Sequence, residues 1–188
     1  MTDYSQPDFY KFNQDSIQLV NWVAQKKKTA KNILDLCAGC GVIGIELANK
    51  FAADSLTLVE MQKDYLPHIQ LNLTHMLNSK IESHVFMESL GTWKTSNTFD
   101  LIVCNPPYFL PGHGEVSQDA RKHHARTFVI DDWNMLIGSI NALLEREGQA
   151  FIVVRNDPKI IKLLAPFNLK TEFVGTLMIL ELSGLNKN

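Results

Sequence analysis

The chain has 188 residues, of which 45% are hydrophobic and 20% charged, and its formal net charge is −2. This composition is typical of a globular domain with a sizeable core, and the near-neutral charge argues against a large nucleic-acid-binding surface but allows a local basic patch. No apolar run reaches the ~20 residues that span a bilayer, the polar N-terminus does not have the pattern of a signal peptide, and three cysteines form no disulfide framework, so we expect a cytoplasmic protein.

Short β-branched runs alternate along the chain with longer segments of helical periodicity. Six runs are predicted to be strands, at residues 32–36, 56–60, 84–87, 99–104, 149–154 and 177–182. Five segments are predicted to be helices, at residues 14–25, 42–50, 62–77, 131–144 and 157–164. Strands that alternate with helices indicate a mostly parallel sheet with helices on both faces.

The end of the chain departs from this alternation. A short run at 173–174 is separated from the last strand only by Gly175 and Thr176, which predicts an antiparallel hairpin at one sheet edge. The expected fold is therefore α/β, with a mostly parallel seven-stranded sheet and a C-terminal antiparallel hairpin. We expect a single domain, 1–188, in which residues 1–30 form a helical lead-in and 31–188 form the core.

A glycine-containing turn follows the first predicted strand, from Asp35 to Gly41, and a helix begins after it. Glycines let the backbone approach a ligand closely, and a helix start offers free N–H groups. Glu60 ends the second strand, where a carboxylate can accept hydrogen bonds from both hydroxyls of a ribose. A tight structural turn and a solvated carboxylate are the alternatives. Up to this point a nicotinamide dinucleotide and S-adenosylmethionine are both possible ligands.

The fourth predicted strand delivers Asn105, Pro106, Pro107 and Tyr108 to the same sheet edge. The Asn105 side-chain oxygen and the Pro106 carbonyl can each accept one N–H of a planar nitrogen, which prepares that poor nucleophile for attack. Prolines fix φ and withhold N–H donors, and Tyr108 offers an aromatic face for stacking. A strand followed by a proline-rich turn without a catalytic role is the alternative.

Together, the two motifs resemble those of class I S-adenosylmethionine-dependent methyltransferases, which have a Rossmann-like fold. The turn is similar to the family's D-x-G-x-G-x-G motif, with a cysteine in place of its first glycine, and it lacks the G-x-G-x-x-G spacing that favours a pyrophosphate. The resemblance implies that S-adenosylmethionine is the cofactor. The residues that it assigns to this methyl donor are Asp35, Cys37, Gly39, Gly41, Glu60, Met61, Glu88 and Asn105.

Asn-Pro-Pro-Tyr is the signature of class I enzymes that methylate adenine N6 or the side-chain amide of glutamine. The segment from Tyr10 to Ile17 and the loop that follows Tyr108 resemble those of bacterial tRNA (adenine-N6) methyltransferases. In that resemblance Asp15 or its neighbours close over the donor. The alternative is a helix N-terminus in which Asp15 or Ser16 is the capping residue.

A basic cluster follows the motif, with Arg121, Lys122 and Arg126. We predict that these side chains contact RNA phosphates while Tyr108 stacks on the substrate, although a solvated charged loop is the alternative. No metal is expected, because Cys37 and Cys40 lack the further paired ligands that zinc requires.

The function that we expect is transfer of a methyl group from S-adenosylmethionine to adenine N6 in RNA, with tRNA as the first candidate. Glutamine methyltransferases of release factors carry a separate N-terminal helical domain, and the short segment before Asp35 therefore favours RNA. The alternatives are a protein glutamine N5-methyltransferase and a donor-binding protein that does not catalyse. The sequence indicates no membrane attachment and no particular oligomeric state.

Overall fold

The predicted strands and helices are found in the part of the chain that the computed structural model describes, residues 3–9, 11–107, 133–167 and 169–184. Its strands are β1 Asn32–Leu36, β2 Ser55–Val59, β3 Glu82–Phe86, β4 Phe99–Cys104, β5 Leu144–Arg155, β6 Lys170–Val174 and β7 Leu177–Ser183. Its α-helices are α1 Gln14–Lys26, α2 Val42–Phe51, α3 Leu66–Met76, α4 Trp133–Leu143 and α5 Pro158–Leu164. Short 3-10 turns cover Lys63–Tyr65 and Ala165–Phe167.

All seven strands belong to one sheet, with the order β3-β2-β1-β4-β5-β7-β6. The five strands from β3 to β5 in this order are parallel to one another. The strand β7 runs antiparallel to both of its neighbours, β5 and β6. The predicted parallel sheet with a C-terminal antiparallel hairpin is therefore confirmed.

Each face of the sheet carries its own hydrophobic core. Ile33 lies in the core beneath α1, α2 and α3, whereas Leu34 and Leu36 lie in the core beneath α4 and α5. Because both faces are covered, the central strands are apolar at nearly every position rather than at alternate ones. Among the described helices, none is both long and apolar enough to cross a membrane.

The first helix begins at a cap that the sequence did not identify. Asn13 is the N-cap residue, and its side chain accepts a hydrogen bond from the Asp15 backbone N–H at 3.0 Å. The alternative in which Asp15 or Ser16 caps the helix is therefore wrong. Asn and Asp are equally good caps, so composition alone does not distinguish them.

The fifth strand begins earlier than its predicted start at residue 149. The pairing of β5 with β4 shifts between Phe99, which pairs with Leu144, and Leu101, which pairs with Gln149. Gly148 lies in this irregular stretch, and a Cβ on it would stand 3.0 Å from the Phe99 carbonyl oxygen. Because glycine lets β5 approach β4 closely here, the strand extends back to Leu144. The hydrophobic pattern of the sequence gives no sign of such an approach between two backbones.

Gly44 brings α2 unusually close to the sheet. A Cβ at this position would lie 2.9 Å from Leu56 Cδ1 and from Leu58 Cδ2, and 3.0 Å from Asp35 Cβ. A side chain at this position would force the buried Leu56 and Leu58 side chains, or the helix itself, to shift.

Gly44→Ala is therefore expected to lower the free energy of unfolding by about 1–3 kcal/mol, although alanine has the higher helix propensity. Gly138→Ala in α4 is the matched control, because a Cβ there would meet nothing within 4 Å. That control should raise stability by ~0.5–1 kcal/mol through helix propensity alone. Chemical denaturation measures both variants, and equal changes would contradict the close packing of α2.

Candidate active site

Four parallel strands end at the same level of the sheet. Leu36 pairs with Val59 on one side and with Cys104 on the other, and Val59 pairs in turn with Phe86. The next residue of each strand therefore leaves the sheet along a single row. These residues are Cys37, Glu60, Met87 and Asn105.

The row includes the point where the chain changes direction across the sheet. From β1 the chain adds β2 and β3 on one side, and β4 then returns to the other side of β1. Ligands of open α/β sheets bind at such a switch point, beyond the carboxyl ends of the strands. The glycine-containing turn and Asn105 flank it, with Asn105 half-buried and Pro106 buried.

Three residues of the turn have left-handed backbone conformations, with φ of 57° at Cys37, 56° at Gly39 and 82° at Gly41. Glycine tolerates this region, whereas a residue with a side chain loses ~1–2 kcal/mol there. Cys37 therefore occupies a strained position, and this explains why the related motif has glycine at that place. The cysteine side chain packs against the core beneath α4 and interacts with the Cys104 thiol.

Glu60 is buried and connects the second strand to the turn. Its Oε2 accepts the Gly39 N–H at 2.8 Å, and its Oε1 accepts the Gln62 N–H at 2.8 Å. Burial raises the pKa of Glu60, and the backbone N–H groups of Gln62 and Gly39 act in the opposite direction. The Met61 N–H also lowers this pKa, and a carboxylate, with about four lone-pair sites, keeps capacity for a ligand hydroxyl.

Asp35 lies beneath the turn and is fully buried. Its Oδ2 accepts the Gly44 N–H at 2.8 Å, which attaches the start of α2 to β1. Its Oδ1 has no hydrogen-bond partner among the described residues. Burial raises the pKa of Asp35 to about 7, the Gly44 N–H opposes this shift, and the nearby Glu60 charge adds to it.

Asn105 is held by a residue from the segment that precedes β1. Its Nδ2 donates to the Ser16 hydroxyl oxygen at 3.2 Å. This contact occupies the nitrogen end of the amide and leaves Oδ1, the expected acceptor of a substrate N–H, outside the hydrogen bond.

A second polar contact that the sequence analysis missed involves Asn72 in α3. The Asn72 side chain accepts the Ser5 N–H at 2.7 Å and donates to the carbonyls of Ser5 at 3.0 Å and Cys40 at 2.8 Å. It therefore ties residues 3–9 to the glycine-containing turn. The available signal was a polar residue on the apolar face of α3, three positions after Ile69.

The remaining predicted residues fall into two groups. Met61 is half-buried beside Glu60, and Glu88 is exposed two residues beyond the end of β3. The other group lies outside the described residues and consists of Tyr108, Arg121, Lys122 and Arg126. The structure thus brings the turn, Glu60 and Asn105 to one edge, and the individual ligand contacts stay predictions.

Methyltransferases are among the solved structures with a similar fold. The T. thermophilus 16S rRNA N2 G1207 methyltransferase, in complex with AdoMet and guanosine, aligns with a TM-score of 0.67 at 19% identity. The alignment covers 92% of this chain and 43% of that one. At this identity the similarity shows the fold alone. The fold is the Rossmann-like fold of class I methyltransferases, as the sequence predicted.

The family model for the methyltransferase small domain matches residues 11–177, and the chain belongs to this family. It is 36% identical over 126 residues to the tRNA1(Val) (adenine(37)-N6)-methyltransferase of Glaesserella parasuis serovar 5, covering 65% of this chain and 51% of that protein. It is also 40% identical over 81 residues to the ribosomal protein uL3 glutamine methyltransferase of Francisella tularensis, covering 41% of this chain and 24% of that protein. The chain spans about half the length of its tRNA-modifying relatives.

The raised pKa of Asp35 gives stability a pH dependence of definite sign. The folded protein holds this proton up to about pH 7, whereas an unfolded chain releases it near 3.8. Between these values the unfolded state binds fewer protons, so the free energy of unfolding falls as pH rises. Wild type should therefore lose stability relative to Asp35→Asn, which retains an acceptor for the Gly44 N–H. Urea denaturation from pH 4 to pH 7 measures the difference, and parallel profiles would contradict it.

Proposed function

We propose that the protein is an S-adenosylmethionine-dependent N-methyltransferase that methylates adenine N6 in RNA, with tRNA as the first candidate substrate. The observation that carries this proposal is the row formed by the glycine-containing turn, Glu60 and Asn105. It would put a donor site and an acceptor of substrate N–H groups side by side at the switch point. Membership in the methyltransferase small domain family supports the same reaction class.

The charges at this edge fit S-adenosylmethionine, which supplies a methyl group activated by a sulfonium cation. Asp35 and Glu60 are both buried next to the turn, and Asp35 Oδ1 has no described partner. A pyrophosphate would meet two acidic side chains here, whereas a cationic donor meets complementary ones. Glu60 would hold the ribose and the backbone at Gly39 would contact the methionine part. The other residues proposed to line the donor are Cys37, Gly41, Met61 and Glu88.

On the acceptor side, Asn105 Oδ1 and the Pro106 carbonyl would each accept one N–H of the substrate nitrogen. These two fixed oxygens stabilise the positive charge that develops on the nitrogen as it attacks the methyl group. Pro106 and Pro107 restrict the backbone so that the carbonyl keeps its direction. Tyr108 would stack on the planar substrate, as the sequence predicts.

Adenine in RNA is the acceptor favoured by the tRNA-modifying relatives, which match this chain over its larger part. Arg121, Lys122 and Arg126 would supply the phosphate contacts next to the motif. The base must leave its stack to reach Asn105, and this costs less in an unpaired loop than in a duplex. A tRNA substrate would place the protein in the cytoplasm.

Glutamine in a protein is the second candidate acceptor. The stretch of 40% identity to a ribosomal protein glutamine methyltransferase supports it. A carboxamide nitrogen is planar and carries two N–H groups, so Asn105 and Pro106 could accept both as they would those of adenine. The two candidates therefore share their catalytic residues and differ in the surface that recognises the substrate.

The transfer assay combines purified protein, methyl-labelled S-adenosylmethionine and unmodified tRNA, followed by nucleoside mass spectrometry. Wild type should produce N6-methyladenosine, and Asn105→Ala should be slower by about 10²–10³-fold, because one preorganised polar group is lost. Calorimetry should show that Asn105→Ala largely retains the donor affinity of wild type, because Asn105 is one of several residues assigned to the donor. Asn97→Ala, a change at an exposed asparagine, should retain the wild-type rate.

Two results would count against the primary proposal. Full activity of Asn105→Ala would remove the proposed mechanism for either acceptor. Label that enters the glutamine of a ribosomal protein, and not the tRNA, would favour the second candidate instead.

Glu60→Gln should weaken donor binding at least about tenfold. The glutamine amide has one acceptor oxygen, so its NH₂ would face the N–H of either Gly39 or Gln62 and that hydrogen bond would be lost. Titration calorimetry with S-adenosylmethionine measures the change. Glu82→Gln, at the exposed opposite end of β3, is the matched control and should bind as wild type does. Equal affinities in all three proteins would exclude a donor role for Glu60.

A further inference from the structure

We infer that Ser16 is a positioning residue that holds the Asn105 side-chain amide with its Oδ1 left for the substrate nitrogen. This inference rests on the proposed function, in which Asn105 Oδ1 accepts an N–H of the substrate. The contact behind it joins Asn105 Nδ2 to Ser16 Oγ at 3.2 Å, across 89 residues of sequence.

The hydroxyl of Ser16 is fixed in space by its helix. Ser16 is the third residue of α1 and is only 4% exposed. The capping role at this helix belongs to Asn13, which accepts the Asp15 N–H. Residues further along α1 anchor it in the core beneath α2, namely Leu19, Val20 and Val23. The Ser16 hydroxyl is therefore held at the switch point without being needed to start the helix.

The orientation of the Asn105 amide matters because its two ends have opposite hydrogen-bonding character. The terminal torsion of asparagine is broad and roughly twofold, so Oδ1 and Nδ2 can exchange places at small steric cost. With Nδ2 toward the substrate, an N–H would face an N–H and transfer would not be assisted. A hydroxyl can accept from Nδ2 or donate to Oδ1, and in the structure Ser16 Oγ accepts from Nδ2, the arrangement in which Oδ1 is left for the substrate nitrogen.

Ser16→Ala should therefore lower kcat about tenfold, equivalent to ~1.4 kcal/mol of transition-state stabilisation. The KM for tRNA should stay within a factor of two or so of wild type, since the variant changes how often the Asn105 amide is correctly placed and not how tRNA is bound. Ser16→Thr keeps a hydroxyl at the same place and should recover most of the lost rate.

The matched control is Ser55→Ala. Ser55 Oγ donates to Asn32 Oδ1 at 3.0 Å, a serine–asparagine hydrogen bond of the same kind at the amino ends of β1 and β2. This variant should keep the wild-type kcat. A fall in kcat of the same size in both variants would mean that Ser16 acts only through stability, and would overturn the inference.

A double-mutant cycle tests the coupling directly. In the Asn105→Ala background, Ser16→Ala should cause no further loss of kcat, because the amide that Ser16 orients is already absent. Additive losses would show that Ser16 contributes independently of Asn105, contrary to the inference.

A readout without catalysis separates this inference from the proposed function. The side-chain amide of Asn105 can be assigned in nitrogen-15 NMR spectra by its disappearance in Asn105→Ala. Ser16→Ala should shift this signal and speed its exchange with solvent, and Ser55→Ala should leave it unchanged. If wild type methylates no acceptor but the shift occurs, the proposed function fails while the contact stands. An unchanged Asn105 signal in Ser16→Ala overturns the contact itself.

Discussion

The register of β1 with both of its neighbours determines where every candidate site residue lies. Because Leu36 pairs with Val59 and with Cys104, the turn, Glu60 and Asn105 leave the sheet at one level. A slip of one residue in either pairing would turn each side chain of that strand to the opposite face. The two hydrophobic cores oppose such a slip, because each side chain of the strand would move from the core in which it packs to the core on the other face.

Two buried carboxylates connect this register to the conformation of the turn. Glu60 accepts the Gly39 N–H, and Asp35 accepts the Gly44 N–H, so the turn is attached both to β2 and to the start of α2. The left-handed Cys37 persists because the Ala38 N–H, which donates to the Val59 carbonyl at 3.1 Å, helps to determine its position. The acidic groups thus hold the turn in place, and a cation bound beside them would favour their ionised forms.

The segment before β1 contributes polar contacts to both halves of the site. Ser5 reaches the turn through Asn72, and Ser16 reaches the end of β4 through Asn105. The chain ahead of the sheet therefore influences the geometry of the proposed donor and acceptor sites together. The same contact to Asn105 would serve adenine or glutamine, and the choice of substrate would then depend on the surface that recognises RNA or protein.

The sequence by itself determined the α/β class, the terminal hairpin and the place of the two motifs, and it predicted an acceptor role for Asn105, because periodicity and short motifs are local properties of a chain. The tertiary structure decided which residue caps α1, how far β5 extends beside Gly148, and that Ser16 and Asn72 contact the two motifs. These features depend on the approach of segments far apart along the chain. A single polar residue that makes such a contact leaves no periodic signal, and packing alone selects its partner.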